Sequence, residues 1–299
     1  MLAPVRDQTG EAAIQGKTVV ITGATSGIGR IAAERLAAMG ARLVLVARDR
    51  GRGERALARL RECGAAAHGI HYADLSRLAE VKRVGAEIAA ACPRIDVLIN
   101  NAGSIFARRR VTEDGLEYTF ATNHMAYFVL TDCLRERLIA AAPARVVNTA
   151  SDAHRGKRLD FADLQMTKGY RLREAYGRSK LANILFTREL ARRLAGTGVT
   201  ANSLHPGFVA TGLGQRDNPL LWIAIRLAML RAGSAERGAE TIVYLAGSPD
   251  VADVTGQYFV DCRPATPTDE AQDDDSARQL WAESARLAGL GQGRSTIIA

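Results

Sequence analysis

The chain has 299 residues, of which 47 % are hydrophobic and 24 % charged, and its 40 basic and 32 acidic side chains give a net charge of +8. Such a composition is ordinary for a soluble protein and can fill a substantial apolar core. The four cysteines lie far apart and form no CxxC pair or Cys/His cluster. The sequence therefore predicts reduced thiols, with neither a disulfide framework nor a metal site.

The N-terminal residues, MLAPVRDQTGEAAIQGK, lack the apolar core of a signal peptide. No apolar stretch approaches the roughly 20 residues that a membrane-spanning helix needs. We therefore expect a cytoplasmic protein.

Short β-branched runs alternate with longer segments whose apolar residues recur every three or four positions. The runs predict strands over 17–22, 41–47, 95–99, 144–150 and 199–205. Helical spacing predicts helices over 76–92, 112–141 and 174–195. Continuous apolar strands that alternate with helices are typical of an α/β fold in which a doubly wound parallel sheet carries helices on both faces.

No internal repeat or linker interrupts this alternation, so we expect a single domain over 16–262, preceded by a tail at 1–15. The remainder, 263–299, opens with prolines and continues as DEAQDDDSARQLWAESARLAGL. Acidic residues at the start of this stretch complement the dipole of a helix. We therefore predict a C-terminal helix followed by a loose tail.

A glycine-rich turn joins the first predicted strand to a helix in KTVVITGATSGIGRIAAERLAAMG. Gly23, Gly27 and Gly29 allow a tight turn and the close approach of a pyrophosphate to the helix N-terminus, where free N–H groups favour negative charge. A strand precedes this turn, a helix follows it, and a second strand comes at 41–47. This context favours a dinucleotide site over a purely structural turn.

These features and several further motifs resemble the short-chain dehydrogenase/reductase family, whose members carry TGxxxGxG at the glycine turn. The resemblance covers residues 17–290 and includes the motifs ADL, NNAG, NHMAYF, NTASDAH, YGRSK and HPGFVAT, in the order of the family. It implies a Rossmann fold. It also implies cofactor contacts by Gly23, Thr25, Ser26, Gly27, Ile28, Gly29, Asp74, Leu75, Asn101, Ala102, Gly103, Tyr176, Lys180, Pro206, Gly207, Val209 and Thr211.

Six arginines fall within ARDRGRGERALARLR, directly after the second strand. At this place a carboxylate binds the 2′-hydroxyl of NAD, whereas an arginine binds the 2′-phosphate of NADP. Arg48 can pair with phosphate through two parallel hydrogen bonds, and Arg52 matches a basic position of the NADP-preferring family members. We therefore predict NADP(H) in preference to NAD(H), with Asp49 as the alternative ribose ligand. The other arginines are expected on a solvated helix face. No nucleic-acid site is predicted, because aromatic residues do not interleave with them.

Tyr176 and Lys180 are one helical turn apart and share a helix face. A free tyrosine titrates at about 10, and an adjacent ammonium is expected to lower that pKa toward neutral pH, where proton transfer is efficient. By resemblance, Tyr176 is the acid/base and Lys180 also holds the nicotinamide ribose. Ser151 orients the carbonyl oxygen, and Asn123 supports the water chain that replaces the proton. Each residue alone also fits a structural role, such as a cap for Ser151; together, behind a complete cofactor motif, they favour catalysis.

Two departures from the family pattern concern the segment around the serine. Ala150 precedes Ser151 where many members have two adjacent serines. The interval from Ser151 to Tyr176 is longer than in most members, and with YGRSKLANILFTRELARRL it resembles the retinol-dehydrogenase-like branch. His154 and His205 have no metal partner in the sequence and are expected to be structural or pocket-lining.

The segment NPLLWIAIRLAMLRAG at 218–233 is strongly apolar. Ligands of such sheets bind beyond the carboxyl ends of the strands, so we expect residues 208–233 to form a lid over the active site. An apolar lid predicts a lipophilic aldehyde, ketone or matching alcohol, retinoid- or steroid-like. Two other interpretations stay open, namely a peripheral membrane contact through 218–233 and a helix packed in the core or in an oligomer.

The leading hypothesis is an NADP(H)-dependent oxidoreductase that acts chiefly in the direction of carbonyl reduction. A nucleotide-sugar epimerase or dehydratase is an alternative, although its glycine spacing and larger substrate domain differ. A regulatory sensor that binds NADP without turnover is another, although such proteins tend to lose the tyrosine and lysine. Relatives associate through long helices such as 112–141 and 174–195, so a homodimer is also compatible with the sequence.

Overall fold

The computed structural model describes residues 13–64, 66–207 and 235–290, and within them eight strands form one sheet. The strands are β1 (Thr18–Thr22), β2 (Arg42–Ala47), β3 (Gly69–Tyr72), β4 (Val97–Asn100), β5 (Ala144–Thr149), β6 (Val199–His205), β7 (Tyr258–Val260) and β8 (Arg263–Pro264). Their order is β3-β2-β1-β4-β5-β6-β7-β8, and only β8 is antiparallel to its neighbour. The winding reverses between β1 and β4, where the carboxyl ends of the strands open the crevice that binds ligands in α/β sheets. The predicted doubly wound parallel sheet is thereby confirmed.

Helices connect the strands and cover both faces of the sheet. They are α1 (Gly27–Ala38), α2 (Arg50–Cys63), α3 (Leu78–Ala91), α4 (Ala126–Ile139), α5 (Leu172–Arg193), α6 (Ala235–Gly247), α7 (Asp269–Gln272) and α8 (Asp274–Leu287). A helical turn (Tyr118–Phe120) and a π-helical turn (Ala121–Met125) lead directly into α4. Two 3₁₀ turns (Asp152–His154 and Pro249–Val251) follow β5 and α6.

The side chains of each central strand alternate between two apolar layers. In β1, Val19 and Ile21 belong to the layer that contains α1 and α6, whereas Val20 belongs to the layer of α3, α4, α5 and α8. All three are fully buried, and each such side chain contributes about 1.5–3 kcal/mol by leaving water. Because helices cover both faces, the strands are continuous apolar runs, as the sequence predicted.

The C-terminal helix α8 packs across α4 and α5. The Trp281 ring lies 4.9 Å from the ring of Phe128 and 5.8 Å from that of Phe186, centre to centre. The predicted C-terminal helix is thereby confirmed, but it is interrupted before α8. Asp273 ends the first short helix and caps the second, since its carboxylate accepts a hydrogen bond from the N–H of Asp275 at 3.0 Å.

The helix predicted over 112–141 begins later than expected. Gly115, at φ +76°, turns the chain so that the N–H of Thr112 donates to the carbonyl oxygen of Leu116 at 2.8 Å. Glu117 then caps the first helical turn through its carboxylate. The prediction was wrong for residues 112–117, because this stretch has only one apolar residue, Leu116, and the turn at Gly115 ends before the first helical turn.

Several predicted features lie outside the described residues. These are the lid at 208–233 with the cofactor contacts Val209 and Thr211, most of the N-terminal tail, and residues 291–299. The predicted domain boundaries stay predictions. Within the ranges that the structure describes, no helix is long and apolar enough to cross a membrane.

Candidate active site

The turn between β1 and α1 brings backbone segments unusually close together. Gly23 has φ +72°, and a Cβ at this residue would stand 2.7 Å from the Cα of Ala102. A Cβ on Gly29 would stand 2.5 Å from the carbonyl oxygen of Gly23. Only glycine permits such approach, which leaves the start of α1 accessible to a ligand.

The N-terminus of α1 suits an anionic group. Ser26 occupies the N-cap position, but its side chain caps no backbone N–H, and the first turn contains no acidic residue. Free N–H groups and the helix dipole favour negative charge at such a place, so the turn fits a pyrophosphate. Thr25 is partly exposed and Ser26 is exposed at this turn. The Ile28 side chain is 6 % exposed and packs in the core, which leaves only its backbone for cofactor contact.

The loop after β4 lies against the glycine turn. The hydroxyl of Thr22 accepts hydrogen bonds from the N–H groups of Asn101 and Ala102, each at 3.0 Å. The Asn101 side chain donates in return to the carbonyl oxygen of Thr22 at 3.1 Å. A Cβ on Gly103 would lie 3.6 Å from the Nζ of Lys180, so the same loop reaches the predicted catalytic residues. Thr22 was not among the predicted site residues, although it directly precedes the glycine motif.

The end of β2 presents two arginines and one aspartate. Arg48 is exposed and Arg52 is partly exposed. Among the described residues, neither guanidinium is paired with a carboxylate. Asp49 caps α2, because its Oδ1 accepts a hydrogen bond from the N–H of Arg52 at 2.8 Å. Its carboxylate is thus directed to the helix N-terminus.

Other predicted cofactor residues lie at the same edge of the sheet. After β3, the carboxylate of Asp74 accepts hydrogen bonds from the N–H and the hydroxyl of Ser76, at 3.0 and 2.8 Å. Leu75 beside it is buried. Pro206 and Gly207 follow directly on β6. The carboxyl edge therefore gathers predicted cofactor residues from five strand ends, those of β1, β2, β3, β4 and β6.

Tyr176 and Lys180 lie on α5 and face the carboxyl end of β5. The Nζ of Lys180 donates to the carbonyl oxygen of Thr149 at 2.9 Å and lies 5.6 Å from the centre of the Tyr176 ring. Ser151 follows β5 directly, and its side chain interacts with that of Tyr176. Its hydroxyl oxygen accepts from the N–H of Ala153 at 3.1 Å, so that Ser151 also caps the 3₁₀ turn. The structure thus brings the three side chains together.

The pKa values of Tyr176 and Lys180 differ from the sequence-based expectation. Burial raises the pKa of Tyr176 to about 12, although the hydrogen bond with Ser151 acts in the opposite direction. Burial also lowers the pKa of Lys180 to about 7. The lysine is directed toward the Thr149 carbonyl, so desolvation outweighs its effect on the phenol. Tyr176 is therefore neutral at pH 7 and is a proton donor in this state.

Asn123 lies in the π-helical turn before α4, an irregularity that is frequent at functional sites. Its Oδ1 accepts from the N–H of Ser104 at 2.8 Å. Its Nδ2 donates to the carbonyl oxygen of Ser104 and to the hydroxyl of Ser179, each at 3.0 Å. Asn123 thereby joins the loop after β4 to α5. The Oδ1 atom of Asn123 has a second lone pair that could accept a hydrogen bond from water. The role of Asn123 in a water chain stays a prediction.

Two buried histidines support the turn that carries Ser151. The Nδ1 of His154 lies 2.7 Å from the carbonyl oxygen of Ser151, and the Nδ1 of His205 accepts from the N–H of Asp152 at 3.3 Å. Burial lowers the pKa of both imidazoles. Both histidines therefore have the structural role that the sequence suggested.

A doubly wound sheet with a glycine turn at its switch point, and with tyrosine, lysine and serine at the next strand end, defines an oxidoreductase that uses a nicotinamide dinucleotide. The chain belongs to the short-chain dehydrogenase family, whose model matches residues 17–220. It is 40 % identical to Retinol dehydrogenase 13 of Homo sapiens over 294 residues, which cover 94 % of this chain and 87 % of that protein. It is 42 % identical to Retinol dehydrogenase 14 of Mus musculus over 298 residues, with coverages of 93 % and 87 %.

Solved structures give the same result. An uncharacterised protein from Mycobacterium paratuberculosis superposes with a TM-score of 0.74 at 32 % identity, covering 93 % of this chain and 97 % of that one. The RhlG/NADP active-site complex of Pseudomonas aeruginosa superposes with a TM-score of 0.67 at 28 % identity, covering 83 % and 95 %. The predicted family and its retinol-dehydrogenase-like branch are confirmed, and with them the class of oxidoreductase.

Proposed function

We propose that the protein transfers a hydride between NADP(H) and the carbonyl or alcohol group of a lipophilic substrate, with Tyr176 as the acid/base. The observation that carries this proposal is the convergence of Tyr176, Lys180 and Ser151 at the carboxyl end of β5. A cofactor crevice with an open helix N-terminus lies beside them.

The choice of NADP(H) over NAD(H) rests on the end of β2. Arg48 is exposed at the strand end, where a 2′-phosphate would lie, and Arg52 is one helical turn further on. Asp49, the alternative ribose ligand, is engaged as the N-cap of α2. A cap that binds a backbone N–H is less available to a ribose hydroxyl, so the arrangement favours phosphate recognition by the arginines.

The nicotinamide would supply or accept the hydride, and side chains of the protein donate or accept the proton. In carbonyl reduction, the hydroxyl groups of Ser151 and Tyr176 donate hydrogen bonds to the substrate oxygen. As negative charge develops on that oxygen, Tyr176 transfers its proton to it. The Lys180 ammonium stabilises the phenolate that remains and holds the nicotinamide ribose. Asn123 binds the water through which the proton is replaced.

The raised pKa of Tyr176 suits its role as proton donor in carbonyl reduction at neutral pH. At about 12, the phenol is protonated at neutral pH, and an alkoxide is basic enough to take its proton. Oxidation of an alcohol needs the phenolate instead, which burial disfavours. The direction at equilibrium still depends on the ratio of reduced to oxidised cofactor.

The proposal of a lipophilic substrate rests on the apolar segment 218–233 and on the relatives. Two of these are named retinol dehydrogenases, and retinol is a long apolar alcohol. We propose a retinoid- or steroid-like compound or a long-chain aldehyde.

We also propose a cytoplasmic location, a peripheral membrane contact through 218–233 and a homodimer. For the homodimer, the packing of α8 is a constraint. Trp281 of α8 contacts Phe128 of α4 and Phe186 of α5, so the helix faces that α8 covers are not available to a second copy. A dimer would use another surface.

The test is steady-state turnover of purified protein with NADPH and, separately, with NADH. The carbonyls are all-trans-retinal, decanal and glyceraldehyde, and the variants are Tyr176→Phe and the control Tyr244→Phe. Tyr244 lies on α6, on the other face of the sheet, and its pKa is also raised by burial. We expect NADPH and the apolar carbonyls to be preferred, and Tyr176→Phe to lose about 10²- to 10⁴-fold in kcat while Tyr244→Phe loses little.

Other outcomes separate the parts of the proposal. Preference for NADH would indicate that Asp49 binds the ribose hydroxyl of the cofactor. Preference for glyceraldehyde would refute the proposal of a lipophilic substrate. Binding of NADPH without turnover of any carbonyl or of the matching alcohols would favour a regulatory sensor. Equal losses of kcat in Tyr176→Phe and Tyr244→Phe would show that Tyr176 is not the acid/base.

A further inference from the structure

The carbonyl group that holds Lys180 is shared with a second side chain. Besides Nζ of Lys180 at 2.9 Å, the Thr149 oxygen accepts a hydrogen bond from Nδ2 of Asn183 at 3.2 Å. Asn183 follows Lys180 by three residues, so both project from the same face of α5. Asn183 is fully buried and therefore does not contact solvent. The position of the lysine and that of the asparagine depend on one backbone oxygen.

His124 connects Asn183 to the C-terminal helix. Its side chain is fully buried, and its ring lies 5.0 Å from that of Phe120 and 5.9 Å from that of Phe186. The ring nitrogen Nε2 lies 2.9 Å from the hydroxyl oxygen of Ser284 on α8. An aromatic surround of this kind keeps water out, so the two nitrogens depend on protein partners.

The remaining nitrogen of His124 and the remaining oxygen of Asn183 form a complementary pair. Nδ1 and Oδ1 are both buried, and neither has a partner of ordinary hydrogen-bond geometry within the described ranges. The two side chains nevertheless interact with each other. Burial lowers the pKa of His124 to about 4, so the ring is neutral and has one donor and one acceptor.

One arrangement of hydrogens would give both His124 nitrogens and the Asn183 oxygen a partner. In it, the Ser284 hydroxyl would donate to Nε2 and the Nδ1–H of His124 would be directed to Oδ1 of Asn183, while the Nδ2 of Asn183 donates to the Thr149 oxygen. In that arrangement the amide of Asn183 is fixed with its nitrogen toward the carbonyl that binds Lys180. The network runs from α8 through the π-helical turn to the catalytic end of α5.

We propose that His124 and Asn183 are positioning residues for Lys180, and that α8 fixes them through Ser284. The proposal rests on the role of Lys180 given under the proposed function. It gives α8, a helix that packs on α4 and α5, a role in catalysis. His124 also follows Asn123 directly, so the same contact restrains the π-helical turn.

The first measurement is ¹⁵N NMR of protein labelled at histidine, at neutral pH. The chain has five histidines, and the signal lost in His124→Phe identifies this ring. We expect a neutral ring that carries its proton on Nδ1, and Ser284→Ala or Asn183→Leu should disturb that tautomer. A ring protonated on Nε2 in the wild type would overturn the network, because the Asn183 amide would then lack its donor.

The second measurement is turnover of the same variants. We expect His124→Phe and Asn183→Leu to lose about 10- to 100-fold in kcat, with KM for the carbonyl changed by less than about threefold, because Ser151 and Tyr176 are untouched. The control is Thr131→Val, which removes an equally buried hydroxyl that accepts a hydrogen bond from Asn100 at 3.0 Å, outside the network. It should lower the unfolding temperature without changing kcat or the tautomer.

The outcomes separate this proposal from the proposed function. If Lys180→Met loses activity while His124→Phe and Asn183→Leu keep wild-type kcat, the positioning role is wrong and the function stands. If Lys180→Met itself keeps wild-type turnover, the catalytic role of the lysine fails, and the positioning role fails with it. Losses in Thr131→Val as large as those in Asn183→Leu would show a general effect of core destabilisation and would also overturn the proposal.

Discussion

At the glycine turn, the N–H groups that open α1 have no side-chain cap and no acidic neighbour. Below Lys180, by contrast, buried polar side chains bind other groups of the protein: Asn183 donates to the Thr149 carbonyl oxygen, and the Ser284 hydroxyl lies 2.9 Å from a nitrogen of His124. The first region leaves hydrogen-bonding capacity for a ligand to satisfy, whereas the second is ordered before any ligand binds. Changes at the first should therefore alter affinity, and changes at the second should alter turnover.

The largest effect on affinity is expected from Gly29→Ala. The added Cβ would stand 2.5 Å from the backbone oxygen of Gly23, so either the turn or the start of α1 must move. Such overpacking costs about 1–3 kcal/mol, and at a binding surface this weakens affinity for NADPH by about 10- to 100-fold. Titration of NADPH fluorescence measures the change.

Gly51→Ala is the matched control for that experiment. A Cβ on Gly51, in α2, would meet no atom closer than 3.6 Å. It should stabilise the fold by about 0.4–1 kcal/mol without weakening NADPH binding, because alanine reduces the entropy of the unfolded chain. Wild-type affinity in Gly29→Ala would show that the pyrophosphate does not bind at this turn.

The same two regions differ in how well the sequence predicts them. The glycine turn is local, because a strand, three glycines and a helix follow one another within the chain, and all of them were predicted. The central strands were predicted to within two residues because both faces are buried. The strands β3, β7 and β8 were missed, since β3 is only partly buried and β7 and β8 have only three and two residues.

The network beneath Lys180 had no signal in the sequence. His124, Asn183 and Ser284 come from three distant elements, and only their packing brings them together. The motif spacing placed Tyr176 and Lys180 on one helix face, but it did not indicate that Lys180 is directed toward the Thr149 carbonyl. The direction of the tyrosine pKa shift depends on that contact and on burial, so it was not predicted correctly.

The pH dependence of turnover tests the charge of Lys180. With a pKa of about 7, this lysine is an ammonium below that pH and a neutral amine above it. The ammonium is the form that stabilises the phenolate, so kcat/KM for NADPH should fall above pH 7, by up to about tenfold per pH unit. Stopped-flow or steady-state assays across neutral pH measure the profile.

Lys180→Arg separates the charge from other titrations. A guanidinium keeps its charge up to a pH of about 12, so the decline should disappear although the plateau is lower. An identical decline in this variant would assign it to another group, and a profile that rises with pH in the wild type would contradict the requirement for the ammonium.

The smallest effect, and the one that best separates the two cofactors, is expected from Asp49. The carboxylate caps α2 through the N–H of Arg52, so Asp49→Ala should destabilise the fold by about 1 kcal/mol in urea unfolding. Asp49→Asn keeps an acceptor for the cap and should retain most of that stability. If the carboxylate serves only the helix, neither change reduces the efficiency with NADH relative to NADPH. If it binds a ribose hydroxyl, Asp49→Asn loses NADH turnover while the fold stays stable. That result would show that Asp49, and not Arg48, determines which cofactor binds.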